Sequence, residues 1–374
     1  MRKYRLVISF VLFFMLSLQV NATELTDELL GEYDFTEAQE SVEDSLPQDT
    51  PSMKELLEKA LHGEILISPA NLCKIAVESV KEEAAAQKEL FAVIILSGLL
   101  AALCKNLAGF CENRQIVSLG YYFIYLLLAI YLLNAFMQAT QIADECITHL
   151  IEFLQVLLPS YFIAVGVAVG SSTATGFYQI AMLGIYVVWG IMKILLIPGC
   201  CIYMFLTIIN GISGEDRMAS LLRLLLKLIQ YVQKTCMTVI GGLGIIQGLV
   251  SPVLDGVGYG AAKKILAAIP GVGNVTDATL QMVTGSLLLL KNGIGAVILV
   301  VMILLCVVPL VRITVIVLVL KGGSALIGMV TDFRIVQCSD RIGSGSLQLL
   351  KILASAFALN FVTVAMVASL RGSN

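Results

Sequence analysis

The sequence predicts an all-α, polytopic membrane protein of about seven spans (6–8), with a small N-terminal helical segment outside the cytoplasm. Three observations predict it. Of 374 residues, 58% are hydrophobic and 14% are charged, against about 25% charged in soluble domains, too few to coat a water-exposed surface of this size. Mean hydropathy is +0.91. Apolar runs of about 20 residues, enough to cross a hydrocarbon core about 30 Å thick, recur along the chain. A water-soluble enzyme, a nucleic-acid binder and a disordered scaffold do not fit. The net charge of −3 offers no basic surface to nucleic acid, and the expected environment is the lipid bilayer.

The charges divide the chain into three parts. Residues 1–22 open with Arg2, Lys3 and Arg5, continue through an apolar run over 6–18, and offer Val20-Asn21-Ala22 to a signal peptidase. They read as a secretory signal peptide cleaved after Ala22, the other reading being an uncleaved anchor. Residues 23–89 hold 17 of the 27 acids against Lys54, Lys59, Lys74, Lys81 and Lys88, a local charge of −12. They form an acidic extracytoplasmic segment, loosely ordered at first and partly helical from about 52. There Met53, Leu56, Leu57, Ala60 and Leu61 fall at helical spacing. Pro69 begins a second helix whose apolar face holds Leu72, Ile75, Ala76, Ser79 and Val80 and which runs on toward the first span. The plain reading of the acids is a solvated face.

Residues 90–374 form the multi-span membrane domain. Apolar runs lie at 90–110, 117–137, 153–170 and 177–197, the last ending at Pro198-Gly199. Run 200–212 is short, a half-span or the continuation of the fourth run, and run 236–250 is short and Gly-rich. Run 287–320 is interrupted by Lys291, Pro309 and Arg312, and is expected to tilt, kink or turn back. Run 349–370 is the last. With 23–89 outside, the first span delivers Lys105 and Arg114 to the cytoplasm, as the positive-inside rule requires. The second leads to an outer loop carrying Asp144, Glu145 and Glu152.

Ionisable residues inside spans are costly and mark candidate sites. Lys193, Lys291 and Arg312 are of this kind, their plain reading being snorkelling at the membrane edges. Residues 251–279 break the apolar pattern with Pro252, Asp255, Lys263, Lys264, Pro270, Gly271, Gly273, Asn274 and Asp277. They read either as an irregular, re-entrant element buried in protein or lining a wet cavity, or as an interfacial hairpin. Pro270, Gly271, Gly273, Asn274, Asp277, Lys291 and Arg312 are thus the candidate pore or interface residues. Gly166 with Gly170, and Gly244 with Gly248, are small-residue pairs that let helices approach closely, within one chain or between copies in a homo-oligomer.

Little points to catalysis. No H-E-x-x-H or C-x-x-C occurs, and the nine cysteines lie mostly in or beside apolar runs, so neither a zinc site nor a disulfide framework is expected. Gly211-Ile212-Ser213-Gly214 has the form of an intramembrane serine protease element, but His62 and His149 sit in no obvious helix-borne position to serve as its base. Gly256-Val257-Gly258-Tyr259-Gly260 lacks the phosphate-loop pattern. No enzyme activity, cofactor or metal is expected.

Three strings carry a family likeness. They lie at 202–228, containing Asn210-Gly211-Ile212-Ser213-Gly214-Glu215-Asp216-Arg217; at 263–279, containing Ile269-Pro270-Gly271-Val272-Gly273-Asn274; and at 332–352, containing Cys338-Ser339-Asp340-Arg341-Ile342-Gly343-Ser344-Gly345-Ser346. In their order and setting, over about residues 50–370, they resemble the stage III sporulation protein AE family of spore-forming bacteria. The resemblance implies a non-enzymatic integral membrane subunit of the stage III sporulation A complex, a channel or export apparatus linking mother cell and forespore. It implies a place in the mother-cell (outer forespore) membrane, and as partners other membrane proteins of that complex, its ring-forming proteins and its cytoplasmic ATPase. The alternative is a secondary transporter with helices broken at Pro198-Gly199 and at 251–277.

Overall fold

The computed structural model describes residues 46, 51–61, 68–107, 114–169, 172–212, 216–242, 273–329 and 333–369, and among them there are helices and short connections but no strand. Helix α1 covers Met53–Leu61. Ser52 caps it, its Oγ accepting the Glu55 N–H at 3.3 Å, in a sequence with the S-x-x-E form of a capping box. Met53, Leu56, Leu57 and Ala60 are buried. Helix α2, Pro69–Ala86, begins with Ser68 as cap and proline in its first turn, where the missing N–H costs nothing. It meets α3, Lys88–Leu107, at a bend of 45°.

Helix α4, Arg114–Val169, is 56 residues long, about 84 Å at 1.5 Å per residue. This corrects the sequence expectation of two spans at 117–137 and 153–170 joined by an outer loop. The polar stretch between them, Gln138 to Glu152, holds no Gly or Pro. Polarity without a breaker does not end a helix, so the acids stand on the helix itself. Asp144 lies 30 residues from Arg114, about 45 Å along the axis, still more than one hydrocarbon thickness away.

Helix α5, Ser172–Ile191, passes through a wide turn at Met192–Leu196 into α6, Ile197–Ile212. Run 200–212 is therefore the continuation of the fourth run, the second of the two readings the sequence allowed, and no break falls at Pro198-Gly199. In the wide turn the Ile197 N–H reaches back five residues to the Met192 carbonyl. Such widening makes room where a proline has no N–H and its ring crowds the carbonyl four residues earlier. Residues 219–242 form α7. Helix α8 runs unbroken over Gly273–Ile327, so the 287–320 run neither turns back nor ends at Pro309. The carbonyl that Pro309 leaves without its N–H is that of Leu305, four residues earlier, and the Cys146 thiol of α4 donates to it at 3.7 Å. Cys146 Sγ also lies 4.0 Å from Cys306 Sγ. Helix α9, Phe333–Ser369, returns beside α8.

Helix α8 is the centre of the bundle, packed by α1, α2, α3, α4 and α9. From Ile294 to Cys306 nearly every side chain is buried. An all-apolar helix needs cover on every side, and two of the covering helices, α1 and α2, belong to the acidic segment. Exposed apolar side chains instead ring α3 (Leu96, Leu99, Leu103), α4 (Leu119, Phe123, Ile130) and α6 (Ile202, Phe205, Ile209), as contact with lipid demands. Four helical stretches are long and apolar enough to cross a membrane, Leu119–Leu157, Met182–Ile212, Gly293–Ile327 and Arg334–Ala365, with the bent α2–α3 pair as a fifth if counted as one span. Among the described residues four or five such helices are counted, and the runs 177–197 and 200–212 lie in one of them.

Candidate functional site

The best-formed polar site joins α6, α7 and α9 at the end of the bundle where α8 turns into α9. Helix α6 ends at Ile212, and Asn210 in its last turn reaches across to the start of α7. Its Nδ2 donates to Asp216 Oδ1 at 2.6 Å, and its Oδ1 accepts the Met218 N–H at 2.9 Å. Asp216 in turn receives both arms of the Arg341 guanidinium from α9, at 2.8 and 2.6 Å. This bidentate geometry is the strong, directional form of an ion pair. Hydrogen bonding from Arg341 is the chief cause that brings the Asp216 carboxyl from an ordinary 3.8 down to about 2, with help from Asn210 and Gln337.

Around this clasp the helices are pinned by further contacts. Tyr125 Oη of α4 donates to the Ile208 carbonyl at 2.9 Å and lies 3.3 Å from Cys338 Sγ. Gly211 leaves the space for that tyrosine, since a Cβ there would fall on its ring and hydroxyl. Lys321 of α8 bonds Asp340 and Ser344 of α9, each at 3.0 Å. Gly343 sits against Lys321 and Leu320, and Gly345 against Phe136 and Tyr203. The alternating glycines of the 332–352 string thus admit α8 on one side and α4 with α6 on the other.

A second polar layer lies farther along the bundle. At the α2–α3 bend Gln87 Nε2 donates to Glu83 Oε1 at 2.8 Å and to Gln138 Oε1 at 2.9 Å. Arg312 Nε of α8 stands 3.9 Å from Glu83 Oε2, whose side chain is 7% exposed. A carboxylate this buried needs such partners. Nearby on α4, Asp144 pairs with Lys193 at 3.8 Å, and Lys193 Nζ donates to Thr148 Oγ1 at 2.7 Å. From Lys193 to Asn210 is 17 residues, about 26 Å of helix, and from Arg312 to Lys321 is 9, about 14 Å. The two layers therefore lie within the thickness of one hydrocarbon core. Between them Gln233 of α7 donates to the Lys351 carbonyl at 2.8 Å and accepts from Gln348 Nε2 at 2.6 Å.

Of the candidate residues taken from the sequence, Arg312 is placed against Glu83 of the acidic segment rather than at a membrane edge alone. Gly273, Asn274, Asp277 and Lys291 belong to the first part of α8, and the rest of the element expected at 251–279 lies outside the described residues. Gly166 lies within α4. Pro270, Gly271, Gly170, Gly244 and Gly248, like the signal peptide at 1–22, fall outside the described residues. The close-packing glycines observed are others. A Cβ at Gly98 of α3 would meet Ile327 of α8 at 2.6 Å, and one at Gly323 of α8 would meet Ile94 of α3 at 2.9 Å. Each helix thus sets an isoleucine, one turn from its own glycine, onto the glycine of the other. Neither Gly98 nor Gly323 stands four residues from another glycine, so no Gly-x-x-x-Gly pair announced this crossing. Asp216 and Arg341, 125 residues apart, sit inside two of the strings that carry the family likeness, yet no spacing rule joins them.

The family description Stage III sporulation protein AE matches residues 51–370. The chain is similar to Stage III sporulation protein AE of Bacillus subtilis (strain 168), with 23% identity over 320 residues, 84% of this chain and 79% of that one. No solved structure matches it. The matched region takes in every described helix, the two polar layers and both halves of the Asp216–Arg341 clasp, and the chain belongs to the stage III sporulation protein AE family, a membership that supports a role in sporulation.

Proposed function

We propose that the protein is a non-enzymatic, multi-pass membrane subunit of a channel or export apparatus that links mother cell and forespore. In this reading it sits in the mother-cell (outer forespore) membrane with residues 23–89 on the extracytoplasmic side. The observation that carries it is the Asp216–Arg341 clasp. Its polar atoms are directed at one another across three helices, so it acts as a brace, and it falls in two of the strings that carry the family likeness. Orientation is supported by the ends of the helices. Arg217, Lys321, Arg334 and Arg341 stand at the clasp or beside the α8–α9 turn, and Glu83 and Asp144 belong to the second layer, as the positive-inside rule favours. The partners are other membrane proteins of the stage III sporulation A complex.

The test is purification of the tagged, full-length protein from sporulating cells in mild detergent. Co-purification with other membrane proteins of that complex is expected. A strictly monomeric species that brings none of them would contradict the reading.

A further inference from the structure

Helix α7 meets two different environments on its outer side. Leu221, Leu224, Leu228 and Tyr231 are 49%, 65%, 56% and 70% exposed, a strip suited to lipid. Beside them Arg223, Lys227 and Lys234 are also exposed. At 3.6 residues per turn the three cations fall within an arc of about 40°, along about 16 Å of helix. No Asp or Glu occurs between residues 217 and 254. Among the described residues no carboxylate pairs with Arg223, Lys227, Lys234 or the exposed Lys351 of α9.

The depth of this flank is set by hydrogen bonds. Asp216 is tied to Arg341 near the start of the candidate span Arg334–Ala365. Gln233, the neighbour of Lys234, is tied to Gln348, Lys351 and Ser355 in the middle of that span. The two helices therefore run side by side in the same direction, and Lys227 lies between these ties. Unpaired cations facing hydrocarbon at such depth are strongly disfavoured, and their usual setting is the bundle interior or a water-filled cavity. A second observation points to water. Gln348 is 1% exposed and its Oε1 has no protein hydrogen-bond partner, an acceptor of the kind an ordered water fills.

We infer that the Arg223–Lys227–Lys234 flank of α7, with Lys351, faces water at membrane depth and lines a passage that concentrates anions. The inference rests on the channel-subunit reading and adds to it a wall and a charge preference. A passage lined by one sign of charge between low-dielectric walls raises the local concentration of the opposite ion.

Single cysteines at 223, 227 and 234, and at 224 and 228 as lipid-strip controls, are placed in the full-length chain and labelled in native membranes. Reactivity is read against the parent chain, for full-length protein retained in the membrane. The anionic thiosulfonate ethylsulfonate should modify positions 223, 227 and 234 at least 5-fold faster than its trimethylammonium analogue, and positions 224 and 228 should react with neither. Because a substitution can disturb the fold, the unmodified protein is also treated with an impermeant amine-reactive ester, and mass spectrometry should find Lys227 and Lys234 acylated. Position 227 behaving like 224 and 228, together with an unlabelled Lys227, would overturn the passage. If that happens while the partners still co-purify, the flank is a covered contact and only the passage is lost. Labelling at 227 without co-purifying partners would instead sink the channel-subunit reading and leave the wet flank standing.

Discussion

Replacing Arg341 by Glu is expected to lower thermal stability in detergent and to collapse the yield of heat-resistant spores. The pair it removes is bidentate and shielded, with the Arg341 side chain 19% and the Asp216 side chain 34% exposed. Hydrogen bonds to charged groups contribute about 1.5–3 kcal/mol. Partial solvent access argues for the lower part of that range, and the two carboxylates left facing each other add repulsion. Asn210 then loses its anchored partner, so the link between α6 and α7 loosens as well. The charge-swapped double variant D216R/R341D should recover part of the loss, which a purely steric role for Arg341 would not allow. The pH dependence has a definite sign. The carboxyl is held at about 2 in the folded protein against an ordinary 3.8. The pair's stabilisation is therefore fully present above about pH 4 and fades as pH falls toward 2. The gap between wild type and the non-titrating Arg341→Gln variant should stay constant from pH 5 to 8 and shrink in that acid window.

Gly98→Leu should disrupt the bundle itself. Even an ideal Cβ at 98 would sit 2.6 Å from Ile327 Cγ2 and 2.8 Å from Ile327 Cβ. Both atoms belong to a β-branched side chain whose χ1 is stiff in a helix, so the neighbour cannot swing aside. Overpacking of this kind costs about 1–3 kcal/mol for small additions, and an isobutyl group should exceed it, giving low yield or aggregation on extraction. Gly98→Ala in an Ile327→Gly background, which removes both Cγ2 and Cβ of residue 327, should fold far better than Gly98→Ala alone, which separates steric conflict from loss of helix flexibility. Gly190→Ala serves as the control. Nothing lies within 4 Å of a Cβ there, and alanine is favoured over glycine inside a helix by about 1 kcal/mol, so that variant should be neutral or more stable.

Both predictions concern contacts between residues far apart in the chain, and that marks where the sequence was and was not legible. The membrane character, the helical class and the spacing of Met53, Leu56, Leu57 and Ala60 are local properties, readable from composition and period. The 138–152 segment was misread because its acids suggest an aqueous loop, whereas the absence of Gly and Pro lets α4 run straight through it. Pro198 suggested a break, and a wide turn absorbed it. Pro309 also leaves its helix intact, with a cysteine from 159 positions earlier in the chain occupying the Leu305 carbonyl. Arg312 is visible as a charge within an apolar run, but its partner Glu83 lies in the acidic segment, whose composition reads as a solvated face. The glycines that matter in the described helices, Gly98, Gly323, Gly343 and Gly345, answer to isoleucine, lysine and aromatic side chains on other helices rather than to a four-residue repeat.

The account depends on α4 being one rod longer than a bilayer is thick, since the second polar layer is hung on it. Spin labels at Leu119 and Val156, 57% and 36% exposed on this helix, allow pulsed electron–electron double resonance on the protein in lipid nanodiscs. An unbroken helix places the 37-residue separation at about 55 Å, and a narrow distribution near that value is expected. Two spans folded back on an outer loop would bring the labels to about 30 Å, one bilayer crossing apart, and a peak there would contradict the account.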